Sequence, residues 1–340
     1  MIVPARNEED CLGACLASLV SQAEDGWTLG REWEILVVDD ASTDRTREIA
    51  QGFATVKLIT PAALPKGWTG KANAAWTAAQ QAQGDWLLFT DADTVHEPGD
   101  LRRALHEAEK HEVAMLSYSP RQIVSGFWQR ALMPLVFSEL ALAYPPAKVS
   151  NPESRLAAAN GQFLLVRRDA YFQIGGHEAV AASMLEDVEL AYLVKRRKLG
   201  LRFRYAPDAL SVRMYRSFGQ MCEGWTKNLA LLFANTLITA AWKMLDIALL
   251  VGLPVLAWSY PGQLSLSTPW ITARLVIFLI WVRTLWRFYR RVARSNFPWS
   301  DCFLSAFGLP LFVWLLWKSW FDHTVTKRVL WKGREYGGER

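Results

Sequence analysis

Two short apolar runs in the first hundred residues each end on a pair of aspartates. Glu34–Val38 (Glu-Ile-Leu-Val-Val) stops at Asp39-Asp40, and Trp86–Thr90 stops at Asp91-Ala92-Asp93. Unbroken apolar runs of this length fit strands buried on both faces. The carboxyl ends of such strands are where open α/β sheets bind ligands. Ser42 and Thr43 can cap a helix over Asp44–Phe53. Thr55–Ile59 follows as a strand, Gly70–Gln83 as an Ala-rich helix, Leu101–Lys110 as a helix and Val113–Tyr118 as a strand. This alternation predicts an α/β domain, a mostly parallel sheet with helices on both faces. The start fits less well. Only Ile2 and Val3 precede Pro4-Ala5-Arg6-Asn7-Glu8, too few for a strand. The expectation is that residues are missing ahead of Met1, an N-terminal membrane helix among them.

Charge divides the chain in two. Of 38 Lys+Arg and 33 Asp+Glu, residues 226–340 hold 14 and 5, leaving 24 and 28 for residues 1–225. The basic part also holds 10 of the 17 tryptophans. The acidic part has no basic stripe interleaved with aromatics, so no nucleic-acid partner is expected. Four cysteines make no disulfide framework. Cys11 and Cys15, at i and i+4, read as helix packing in preference to zinc ligands.

Three apolar segments follow, 240–260, 270–289 and 302–321. Spanning a bilayer takes about 20 apolar residues, and Trp258, Trp270, Trp286, Trp299, Trp317 and Trp320 fall near segment ends as an interfacial belt would. Arg287, Arg290, Arg291 and Arg294 mark the loop between the second and third segments as cytosolic. The expected organisation is a cytosolic globular domain over 1–228, a transmembrane helical region over 229–325 and a basic tail over 326–340, in a multi-pass protein of the inner cell membrane. A single crossing by the third segment would leave Lys327, Arg328, Lys332 and Arg334 outside, so a re-entrant hairpin at Gly308-Leu309-Pro310 is expected to keep the tail cytosolic. Phe127–Val149 reads equally as a buried helix or as one lying in the membrane interface.

Asp91-Ala92-Asp93 is the sharpest chemical feature. Two carboxylates just past an apolar strand suit a hard divalent cation that also takes phosphate oxygens. Five motifs then stand in order: Pro4-Ala5-Arg6-Asn7-Glu8-Glu9, Val38-Asp39-Asp40-Ala41-Ser42-Thr43-Asp44, Gly70-Lys71-Ala72-Asn73-Ala74, Asp91-Ala92-Asp93 and Leu185-Glu186-Asp187. Together they resemble family 2 glycosyltransferases with the Rossmann-like GT-A fold, over residues 1 to about 230. Asn160-Gly161-Gln162-Phe163, Gly175-Gly176-His177, Glu223-Gly224-Trp225-Thr226-Lys227-Asn228 and Trp331-Lys332-Gly333-Arg334 are similar to the membrane-bound branch. That branch includes carotenoid-acid and hopanoid-associated glycosyltransferases and, more distantly, ceramide glucosyltransferases.

The resemblance implies roles. Pro4, Arg6, Glu8 and Asp40 would hold the nucleotide, with Asp40 accepting from a base N–H. Lys71 would reach the base or diphosphate as a point charge. Gly67-Trp68-Thr69-Gly70-Lys71-Ala72 lacks the spacing of a P-loop. Asp91 and Asp93 would hold Mg²⁺ or Mn²⁺ against the diphosphate. Asp187 would be the base of an inverting transfer, with Glu186 as its fallback. Asp44 reads as a helix-capping group, and Asp39 either as one or as part of the nucleotide-binding pair. Gly161, Gln162, His177, Trp225 and Lys227 would line the acceptor site, although Trp225 reads equally as a membrane anchor and His177 equally as a loop hydrogen-bonder. Where the family has Gln-x-x-Arg-Trp this chain has Gly224 before Trp225, which leaves Lys227 or Arg213 to supply the missing cation.

The expected activity is transfer of one sugar from a nucleotide sugar, a UDP-sugar by preference, to a lipid or isoprenoid acceptor at the cytosolic membrane face. A processive polysaccharide synthase and a non-catalytic nucleotide-binding membrane scaffold are the alternatives.

Overall fold

A computed structural model describes residues 1–24, 26–259, 268–331 and 334–336. Tyr260, Lys332 and Gly333, which belong to expected segments and motifs, lie outside the described residues. The chain divides into two units, 1–123 with 144–214 and 124–143 with 215–340.

The first unit is built on one sheet. In chain order its elements are β1 (Ile2–Ala5), α1 (Leu12–Val20), β2 (Ile35–Asp39), α2 (Thr46–Gln51), β3 (Val56–Ile59), α3 (Gly70–Gln81), β4 (Trp86–Phe89), β5 (Thr94–His96), α4 (Asp100–Lys110) and β6 (Met115–Gln122). After helices α5 (Gly126–Ala143) and α6 (Pro146–Val149) come β7 (Leu164–Arg167), α7 (Arg168–Gln173), α8 (Glu186–Arg196) and β8 (Leu201–Val212). The eight strands lie in the order β3-β2-β1-β4-β7-β6-β8-β5.

Alternation explains why the strands read as solid apolar runs. Ile2, Leu36, Val38, Leu87 and Phe89 pack into one core with Ala74, Ala75, Ala78 and Ala79 of α3 and Leu190 and Val194 of α8. Their neighbours Val3, Ile35, Val37 and Leu88 pack into a second core with Leu12, Cys15 and Leu16 of α1 and Leu101, Ala104 and Ala108 of α4. Each strand thus feeds both faces, which removes the polar positions a half-exposed strand would show. Cys15 is fully buried in α1, packed with Leu12 and Leu16, whereas Cys11 is half-buried at the start of that helix.

Two expectations need correction. Ile2 and Val3 do belong to a strand: with Pro4 and Ala5 they form β1, which pairs in parallel with β2 and β4. Proline is accommodated there because β4 pairs with β1 only at Ile2, so no ladder bond is needed from the Pro4 nitrogen. The sheet is also more mixed than the alternation suggested. β7 runs antiparallel to β4 and to β6, and β5 runs antiparallel to β8. Long excursions between β6, β7 and β8 allow the chain to enter the sheet from either end.

The second unit contains α5, α9 (Phe218–Leu232), α10 (Thr236–Ser259), α11 (Thr268–Val292), α12 (Trp299–Cys302) and α13 (Ser305–Phe321), then an antiparallel pair, β9 (Val329–Trp331) and β10 (Arg334–Tyr336). By length and composition α10 is apolar enough to cross a membrane, with a mean hydropathy of 1.7. α11 carries Arg274, Arg283, Arg287, Arg290 and Arg291, and α13 is 17 residues long. Of the two readings of Phe127–Val149, its α5 part is a packed helix, with Leu132, Leu135 and Val136 buried while Phe127 and Trp128 are exposed.

α13 continues through Pro310, so the chain does not reverse at Gly308-Leu309-Pro310 as expected. Gly308 has a different use: a Cβ there would overlap the Ala131 carbonyl of α5, so glycine permits the two helix backbones to touch. Lys243 is buried within this unit, 2.7 Å from Glu139 and 3.3 Å from Asp246. Arg287 reaches Asp246 at 3.2 Å. Pairing of this kind is what makes a buried charge tolerable.

Candidate active site

The acidic pairs seen in the sequence sit past the carboxyl ends of β2 and β4, next to each other in the parallel half of the sheet through β1. Asp39 is occupied structurally: one oxygen accepts from the Ser42 N–H at 3.0 Å and the other meets Arg47 at 3.3 Å. Asp44 is occupied likewise, accepting from the N–H groups of Thr46 and Glu9. Asp40 is 8% exposed, and Arg6 donates to its carbonyl at 2.9 Å with the carboxylate 3.7 Å away. Glu8 lies in the same loop, where its N–H donates to Thr46 Oγ1.

A cleft at this edge is lined by Pro4, Lys71, Thr90, Asp91, Gly161, His177, Glu186 and Asp187, among others. Thr69 caps α3 through the Ala72 N–H, which fixes Lys71 in the first turn. The Lys71 ammonium lies 2.7 Å from Asp91 Oδ1 and 2.9 Å from Glu186 Oε1. Desolvation opposes its charge, but Asp91, Glu186 and Asp187 outweigh that and raise its pKa well above the usual value. Glu186 and Asp187 open α8, where the helix N-terminus favours carboxylates. Asp187 Oδ2 accepts from the Gly161 N–H at 2.7 Å and Oδ1 from the Val188 N–H at 2.8 Å.

The two neighbouring acids diverge. Desolvation works against ionisation of Glu186, yet Lys71 prevails and holds its pKa below the usual range. Asp187 is pushed up to about 6 by desolvation and by the adjacent Glu186, against the pull of Lys71 and two N–H groups. Two acids whose surroundings drive them apart are suited to different tasks.

His177 is 3% exposed. Its own N–H donates to the Tyr171 hydroxyl, which in turn lies 2.8 Å from Nδ1. Burial lowers its pKa to about 4, so the ring is neutral at neutral pH. Gln162 is buried and its carbonyl accepts from Thr90.

Of the residues singled out in the sequence, the cleft brings together Pro4, Lys71, Asp91, Gly161, His177, Glu186 and Asp187. Arg6, Glu8, Asp40, Asp93 and Gln162 belong to the same unit but do not line the cleft. Trp225 and Lys227 belong to α9 of the second unit. Trp225 is 2% exposed, with its indole N–H on Met133 Sδ, so it presents neither an open wall nor an interfacial ring. The Lys227 carbonyl accepts from His323 Nε2. Sequence reading passed over Thr90 and Tyr171. Thr90 was legible as the last residue before Asp91, whereas nothing in the sequence marked Tyr171 as the partner of His177.

Among the described residues no three His, Cys, Asp or Glu side chains gather to hold a metal. Asp91 and Asp93 carry hard carboxylate oxygens of the type a small divalent cation takes, and Asp91 Oδ1 is already 2.7 Å from the Lys71 ammonium.

Residues 1–174 match the family model described as Glycosyl transferase family 2. A 4,4'-diaponeurosporenoate glycosyltransferase of Staphylococcus haemolyticus is 28% identical over 344 residues, covering 99% of this chain and 88% of that protein. Its Staphylococcus aureus counterpart is 27% identical over 348 residues, covering 99% and 87%. The fold is similar to that of mannosyltransferase PcManGT from Pyrobaculum calidifontis, solved with GDP-Man and Mn²⁺. That match has a TM-score of 0.52 at 17% identity, covering 96% of this chain and 86% of the other.

Proposed function

The chain belongs to glycosyl transferase family 2 and is a glycosyltransferase, and from that premise we propose that it moves a single sugar from a UDP-sugar to a lipid or isoprenoid acceptor with inversion. The observation that carries the reading is the meeting of Lys71, Asp91, Glu186 and Asp187 in one cleft at the carboxyl edge of the sheet.

In this reading Pro4, Arg6, Glu8 and Asp40 hold the nucleoside and Lys71 meets the diphosphate. Asp91 and Asp93 hold Mg²⁺ or Mn²⁺, which when bound offsets the charge that builds on the leaving diphosphate. Asp187 takes the proton from the attacking hydroxyl of the acceptor as the bond to the sugar forms and the diphosphate leaves. Its raised pKa of about 6 suits a proton acceptor at neutral pH, and its two N–H contacts fix the carboxylate while leaving a lone pair on each oxygen. Glu186, ion-paired with Lys71, is the poorer base. His177, Gly161 and Gln162 shape the acceptor side.

The acceptor class rests on two supports. The relatives are named for a carotenoid acid. α10 and α11 also expose Trp242, Val251, Trp258, Leu279 and Trp286, an apolar surface of the kind that lipid covers. The arginines at the end of α11 favour an anionic, cytosolic leaflet.

The test is a screen of radiolabelled UDP- and GDP-sugars with membranes containing the protein, followed by identification of the labelled lipid. One sugar on an isoprenoid lipid is expected. A ladder of products would replace this reading with a processive synthase, and nucleotide-sugar binding without any transfer would replace it with a scaffold.

A further inference from the structure

Behind the cleft lies a buried polar chain that the proposed chemistry does not use. His96, the last residue of β5, and Asp100, the first of α4, have fully buried side chains, with His96 Nδ1 2.7 Å from Asp100 Oδ2. On its other side, His96 Nε2 is 3.0 Å from Thr90 Oγ1. Thr90, 1% exposed, is 2.9 Å from the Gln162 carbonyl. The adjacent Gly161 N–H is the group that holds Asp187.

Counting protons fixes the direction of this chain. A carbonyl only accepts, so the single Thr90 proton goes to Gln162 O. His96 Nε2 must then carry a proton and donate it to Thr90 Oγ1. Asp100 and Nδ1, at 2.7 Å, share one further proton. With the Nε2 proton committed to Thr90, Nδ1 either accepts from a protonated Asp100 or donates to an ionised one, and in both cases Thr90 stays turned to Gln162. A carboxylate that sets a histidine tautomer, and through it a hydroxyl, is a known device for orientation.

We propose that Asp100, His96 and Thr90 form a positioning relay that acts through the Gln162 carbonyl on the Gly161–Asp187 contact. The inference rests on the proposed role of Asp187; His96 and Asp100 are fully buried and act only through Thr90, which lines the cleft. The relay ties the loop carrying Gly161 to the end of β4, so the cation-binding and proton-accepting sides of the cleft keep a fixed spacing. A shift of about 1 Å at a reacting group costs up to about 100-fold in rate.

Two measurements on the full chain in detergent test this. In protein labelled with ¹⁵N-histidine, the His96 resonances are assigned by their loss in His96→Gln. Wild type should show a protonated Nε2, and Asp100→Asn, whose amide N–H can still donate to Nδ1, should keep it. A bare Nε2 in wild type overturns the relay whether or not the protein transfers sugar.

The second measurement is kinetic. Thr90→Val keeps the side-chain shape without the hydroxyl, and binding of UDP as probe reports an intact cleft. It should lower kcat about 10- to 100-fold with donor KM changed less than about twofold. Thr90→Ser should stay within about threefold of wild type. Wild-type kcat in Thr90→Val, or equal damage in Thr90→Ser and Thr90→Val, overturns the relay. Absence of transfer by wild type itself counts against the proposed function, and the ¹⁵N measurement then decides on the relay alone.

Discussion

Lys71 stands 2.9 Å from Glu186 and thereby separates two acids that are neighbours in sequence. Glu186 becomes the partner of a cation, while Asp187 keeps the raised pKa that a proton acceptor needs.

Asp187→Asn should reduce turnover by about 10²- to 10⁴-fold, the usual contribution of a general base, and leave nucleotide-sugar binding intact. In wild type the base must be ionised, so kcat should fall about tenfold per pH unit below about pH 6 and level off above it. Turnover by Asp187→Asn equal to wild type would remove the base assignment.

Removing the cation should move that limb. In Lys71→Met nothing offsets Glu186 and Asp187, so the coupled pair should take up protons at higher pH. The acid limb of the pH–rate profile should rise by on the order of one unit, with a higher KM for the donor. An unmoved limb would mean that Lys71 does not tune the pair.

Divalent cations should matter through Asp91 and Asp93. Chelation should abolish transfer and added Mn²⁺ or Mg²⁺ should restore it. Asp93→Ala should weaken metal-dependent nucleotide binding by about tenfold or more, as for the loss of one of two carboxylate ligands. Titrations that agree with and without Mn²⁺ would contradict the metal role.

Gly308→Ala should destabilise the second unit by about 1–3 kcal/mol, because the added methyl overlaps the Ala131 carbonyl. Gly252→Ala is the control. That glycine lies in α10 with nothing near its would-be Cβ, so the change should be neutral or stabilise by about 0.5–1 kcal/mol. Thermal unfolding of the two variants in the same detergent makes the comparison.

The β2 and β4 strands were legible because burial on both faces leaves an unbroken apolar run, and the acids past them were legible because strand ends gather ligands. β1 was missed because it begins only one residue into the chain, where periodicity has no room to show. The antiparallel entry of β7 was also hidden. Leu164–Arg167 carries no mark of its direction, which is set by the course of the chain around α5 and α6. In the site, charged residues announced themselves by type and order. The division of labour between Glu186 and Asp187 did not, since it depends on where Lys71 lands, and α3 lies more than a hundred residues upstream. Trp225 was misleading because a tryptophan at a motif's end looks the same from sequence whether it faces solvent, lipid or a methionine.

The contact between Gly308 and Ala131 also bears on how the chain comes to be folded. The ribosome finishes α5 early, yet its backbone partner in α13 emerges only after nearly half the chain has followed. Until then the apolar flank of α5 has no final resting place. Nascent chains stopped before residue 305 should therefore be the species most prone to aggregate or to recruit a chaperone.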